Sequence, residues 1–153
     1  MSERASTSLD ISPEIVSPEV VWIVCEDGSR WVETVRCFCL GGATNSVRVS
    51  VRIADEDEVL GLVNSLLRRP KRTVFVVWEM TPKTLAVKCR AITTLALTAP
   101  QILQIAAVTA IPMRYRSILS EFGATLQIRQ PEEMQAIALR LNEQVLPGLA
   151  RLR

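Results

Sequence analysis

The chain has 153 residues, 48% of them hydrophobic, so one domain can bury a full core without metal or disulfide staples. Its 18 basic and 16 acidic residues are interspersed and leave a formal charge of +2, which argues against nucleic acid as a partner; the one dense basic cluster, Arg68, Arg69, Lys71 and Arg72, brackets Pro70 and reads as a solvated loop. Four cysteines without a C-x-x-C pair, and no histidine, argue against a thiolate or mixed zinc site, while no apolar run approaches the roughly 18 residues that span a bilayer.

Residues 1–18 are rich in Ser and Glu, hold Pro13 and Pro18 and show no period, so a flexible tail is expected before a domain over 19–153. No signal-peptide core is present in MSERASTSLD, and a reduced cytoplasmic setting is expected. Val20 to Cys25 is an unbroken apolar run, the mark of a strand buried on both faces, and it stops at Glu26-Asp27-Gly28. Ser29 is placed to cap a helix with Trp31, Val32, Val35, Phe38 and Cys39 at helical spacing, ending at Gly41-Gly42.

Val47, Val49, Val51 and Ile53 alternate with Arg48, Ser50 and Arg52, as in an edge strand with one wet face. Asp55 to Glu58 should open a second helix, with Val59, Leu62, Val63, Leu66 and Leu67 on one side and Pro70 as its stop. Thr73 to Trp78 is apolar on both parities and predicts an interior strand ending at Glu79-Met80-Thr81-Pro82. A third helix follows from Lys83 to about Thr98, carrying Leu85, Cys89, Ile92 and Leu95, and Pro100 closes it. Ile102 to Val108 forms a fourth strand, Met113 to Phe122 a short helix with Gly123 as its C′ residue, and Thr125 to Ile128 a fifth strand. The last helix runs from Glu132 to about Val145, with Met134, Ile137, Ala138, Leu141 and Val145 as its buried stripe.

Five strand-helix pairs in strict alternation call for right-handed crossovers and a parallel sheet covered on both faces. The order 2-1-3-4-5, a flavodoxin-like (βα)5 doubly wound α/β fold, puts the alternating strand at an edge and the apolar ones inside. Function in such folds lies at the carboxyl ends of the strands. There the chain sets Glu26 and Asp27, then Glu79, then Thr109, then Gln130-Pro131.

Those residues resemble the receiver domains of two-component response regulators, over roughly Val20 to Leu146. The resemblance rests on the acid pair Glu26-Asp27, Thr109-Ala110, Gly123-Ala124 and Gln130-Pro131-Glu132-Glu133. It implies a magnesium-holding acid pair, a phospho-accepting aspartate after the third strand, and a lysine where Gln130 stands. This chain departs at both demanding positions. The acceptor falls on Glu79, or on Trp78 if counted back from Pro82, and an amide cannot neutralise phosphoryl charge as an ammonium does. A glutamate also carries its carboxylate one methylene too far for in-line attack. Arg129 is no substitute for the lysine, because consecutive strand side chains point to opposite faces.

The expectation is therefore a degenerate (pseudo-)receiver, not an enzyme, with an acidic pocket lacking a fixed cation and at most weak divalent-metal (magnesium) binding by Glu26, Asp27 and Glu79. It would act by binding another protein, without phosphorylation. Glu79 could stand in for a phosphorylated aspartate only by reaching Thr109. In receivers the face of the fourth helix, fifth strand and fifth helix docks partners or a second copy; here it would comprise Arg114, Tyr115, Arg116, Gln127, Arg129 and Arg140, and would serve a homodimer. The bond before Pro131 is commonly cis in receivers, so cis is expected.

The competing readings are weaker. A flavodoxin-type flavin or small-ligand domain needs a hydroxyl- and glycine-rich phosphate loop after the first strand, where CEDGSRW carries two acids. A hydrolase with Cys25 or Ser29 as nucleophile lacks a histidine base and a G-x-S-x-G elbow. A DNA-binding output role lacks a basic recognition helix.

Overall fold

The computed structural model describes residues 18–40 and 47–150, with side chains as far as Leu141. Most of the predicted tail, Gly41-Gly42 and the Val145 side chain lie outside the described residues. Strands and helices alternate as β1 (Glu19–Cys25), α1 (Arg30–Cys39), β2 (Arg48–Ile53), α2 (Val59–Leu67), β3 (Arg72–Glu79), α3 (Leu85–Thr98), β4 (Leu103–Ala107), α4 (Arg116–Phe122), β5 (Leu126–Ile128) and α5 (Glu133–Ala150). Every strand pair is parallel and the order is β2-β1-β3-β4-β5, the flavodoxin-like (βα)5 arrangement.

The strand patterns explain this order. The three central strands bury both parities, so each contributes to two cores. Val21, Ile23, Val74, Val76, Trp78 and Ala106 meet α2, α3 and α4 on one face. Val20, Trp22, Val24, Phe75, Val77 and Ile105 meet α1 and α5 on the other, where the Trp22 and Phe75 rings lie 4.7 Å apart. At the edge, β2 leaves Arg48, Arg52 and Ile53 exposed, which blunts it with charge.

Helix starts depart from expectation for local reasons. Asp55 to Glu58 form a turn and not the first turn of α2: the Asp55 N–H donates to Glu58 Oε1 (2.9 Å) and the Asp55 carbonyl accepts from Glu58 and Val59. Thr81 and Thr84, whose hydroxyls lie 2.9 Å apart, form a similar turn before α3. Residues Met113–Tyr115 make a 3-10 turn leading into α4. Gly123 ends α4 at φ 120°, and a Cβ there would stand 2.7 Å from the Ala96 Cβ, so glycine is required both by conformation and by the close approach of α3.

The Gln130–Pro131 bond, expected to be cis, is trans. The trans geometry sets Pro131 in a helix-opening turn, where Gln130 O accepts from the Glu133 N–H (3.1 Å) and Pro131 O from Met134 (3.0 Å). A proline at a helix start needs no N–H, so the turn holds it without a cis bond. α5 also extends beyond the expected end near Val145, to Ala150.

Candidate functional site

The register aligns the carboxyl ends. Cys25 pairs with Trp78, which brings Glu26 and Glu79 abreast, and Glu79 pairs with Ala107, itself paired with Ile128. Trp78 and Glu79 then take opposite faces. The Trp78 indole is fully buried and donates to Gln104 Oε1 (2.8 Å), whose amide nitrogen donates to Ile92 O (3.1 Å). Trp78 is thus a core residue with its indole N–H satisfied, and Glu79 is the one that faces the crevice.

The carboxylates there are engaged internally. Glu26 receives the N–H groups of Trp31 (2.8 Å, Oε2) and Val32 (2.7 Å, Oε1), which caps α1 in place of Ser29, whose side chain makes no cap bond. Glu79 Oε1 accepts the Asp27 N–H (2.9 Å), tying the β1–α1 loop to the end of β3. Asp27 Oδ2 lies 3.4 Å from the Thr81 hydroxyl that donates to it.

The crevice also contains a cation, contrary to the expected lack of one. Lys88 on α3 is fully buried; its Nζ donates to Glu79 O (2.6 Å) and stands 3.8 Å from Asp27 Oδ1. A desolvated ammonium needs such partners, since an unpaired one would carry a penalty of several kcal/mol. Lys88 therefore binds α3 to both neighbouring strand ends. Its place on the inward stripe of the helix was legible in the sequence, because it lies three residues after Leu85 and four before Ile92.

The far half of the crevice is separate. The Thr109 hydroxyl donates to Arg129 O (2.6 Å), not to Glu79, so the two do not form the contact that a phosphoaspartate mimic requires. Glu133 Oε1 accepts from the N–H groups of Arg129 (2.8 Å) and Gln130 (2.9 Å), as the third-position acid of a capping box does. These backbone bonds, from Arg129 and then Gln130, hold the Glu133 carboxyl below its usual value near 4.5. Gln130 is exposed, and among the described residues its side-chain amide makes no hydrogen bond.

Few free ligand atoms remain for a metal in this crevice, because both Glu26 oxygens are taken by α1 and Lys88 supplies positive charge beside Asp27. Among the described residues, the carboxylates whose oxygens do gather within 4.8 Å are Asp55, Asp57 and Glu58, exposed before α2. Cys25 is buried beside Glu56, its Sγ donating to Oε2 at 3.6 Å. Burial pushes its thiol up to about 12, although the Lys88 charge pulls the other way, so the thiolate that a nucleophile needs is disfavoured.

Of the expected interaction residues, Arg116, Gln127 and Arg140 border shallow depressions of about 400 and 310 Å³ on either side of β5. Gln127 also holds the fold together, since its Nε2 donates to Arg116 O (2.6 Å) and Ser120 Oγ (3.0 Å) and so pins β5 to α4. Arg129 is half-buried on the Thr109 side of the crevice. Tyr115 turns towards α3, with the Arg114 guanidinium 5.1 Å above its ring. A scan against protein-family models and a search of curated proteins both gave no match.

Proposed function

We propose that this chain is a receiver-like protein-interaction domain that works without phosphorylation. The observation that carries this reading is the buried Lys88 ammonium between Glu79 O and Asp27 Oδ1. Phosphoryl transfer of the receiver kind draws on an acceptor carboxylate, a metal and a cation whose donors are free to meet the phosphoryl oxygens. Here the cation is fixed in the resting chain, Glu79 is tied to the β1–α1 loop and Glu26 to α1. The same Glu26 contacts weigh against the flavin reading, because the helix N–H groups that would receive a phosphate are occupied.

A partner or a second copy would meet the α4–β5–α5 face through Arg114, Arg116 and Arg140 beside the exposed Leu126 and Leu139. Incubation with acetyl phosphate and magnesium, followed by intact-mass measurement, tests the phosphoryl half of the reading. The mass of the chain should stay unchanged. Gain of a phosphoryl group that is lost in Glu79→Gln would overturn it.

A further inference from the structure

α3 buries Cys89, Ile92 and Leu95 on its inner side, and its outer side also carries apolar residues, Val87 at 46% exposed and Leu97 at 78%, among Arg90, Thr94 and Thr98. α4 adds Ile118 and Phe122, and the turn before it adds Met113, 60% exposed. Between the two helices lies an open cleft of about 650 Å³, bordered by these α4 residues and by Arg90, Thr93 and Thr94 of α3. The hydroxyls in its wall are already bonded, Thr93 Oγ1 to Phe122 O (3.1 Å) and Thr94 Oγ1 to Arg90 O (2.9 Å). An occupant therefore meets carbon along the walls and a guanidinium at Arg90.

Charge narrows the occupant. No Asp or Glu lines the cleft, whereas Arg90 does and the Arg114 guanidinium lies over the ring of Tyr115 in its wall; Glu121 of α4 lies outside the lining, and among the described residues neither arginine makes a salt bridge. An apolar groove whose wall charge is basic selects an apolar stripe with acidic flanks. The cleft is an open trough between two helices, the shape that an amphipathic helix fills. We propose that the α3/α4 groove docks an acidic amphipathic helix of a partner protein, its apolar stripe against Ile118 and Phe122 and its carboxylates against Arg90 and Arg114.

This site shares Arg114 with the edge of the α4–β5–α5 face but has its own apolar wall, and it does not depend on the phosphoryl reading, since a chain that took phosphate could use the same groove. The test is fluorescence anisotropy with two synthetic helical peptides that share one leucine stripe and carry either glutamates or lysines on the flanks. The glutamate peptide should bind at least about tenfold more tightly than the lysine peptide, and Ile118→Ser with Phe122→Ser should weaken it by at least about tenfold. Arg90→Glu should shrink or reverse the preference. All three positions are exposed and circular dichroism verifies folding. Equal affinity for the two peptides, indifference to the groove variants, occupation by a second copy in sedimentation equilibrium, or binding of palmitate in place of the peptide would each overturn the proposal.

Discussion

The β1–β3–α3 end of the crevice and the α3/α4 groove are built on the same helix and have opposite character. In the crevice Lys88, Asp27, Glu79 and Glu26 each meet a partner within the chain. In the groove, Ile118 and Phe122 are left uncovered. α3 turns Lys88 inwards and Arg90, two residues on, outwards. The contrast teaches that polar groups arranged like a catalytic pocket can serve largely to hold a fold together, while exposed apolar surface lies elsewhere.

Removing the buried cation is the strongest way to break this comparison. Lys88→Met leaves Glu79 O and Asp27 without their partner and should lower unfolding free energy by about 2–4 kcal/mol, read by urea denaturation. A cost well below about 1 kcal/mol would mean that the ammonium is dispensable and the crevice less closed than described. On the groove side, Gly123→Ala forces a Cβ against Ala96 at a positive φ, and a loss of about 2 kcal/mol is expected. Equal stability would show that α3 and α4 can move apart, making the groove adjustable.

Glu133→Gln is the smallest perturbation and acts on the far half of the crevice. At neutral pH it should cost about 0.5–1 kcal/mol, the value of an exposed cap. The folded-state pKa is depressed, so the carboxylate's contribution is present above its unfolded value near 4.5 and is lost as pH falls through the folded value. Chemical denaturation of the two proteins should therefore converge as the pH falls from above 4.5 through the depressed folded value. A gap that persists in acid would assign the effect to packing.

Much of the fold is legible in the sequence because hydrophobic period is a direct record of burial. The alternation of Val47 to Ile53 marks an edge strand, and the doubly apolar TVFVVW marks an interior one; both positions are found in the sheet. The helix starts at Val59 and Leu85 are less legible, because they depend on side chain to backbone bonds within turns, such as Glu58 to Asp55, that leave no periodic trace. Glu26 as the cap of α1 has the same cause: its reach of five residues to Trp31 depends on the shape of the loop. Lys88 shows a different failure. Its spacing marks the buried stripe, but a lysine in a helix is ordinarily assigned to solvent. Gln130-Pro131 is ordinary for a related reason, since Glu133 caps the turn and the proline sits at a helix start in trans.

The central claim, that the crevice is closed by its own residues and accepts no phosphoryl group, is tested most directly by an amide proton-nitrogen correlation spectrum titrated with magnesium and then with beryllofluoride, a phosphoryl mimic. The account predicts no saturable shift at Glu26, Asp27, Glu79, Thr109 or Ala110. Saturable, magnesium-dependent shifts at those residues would contradict it.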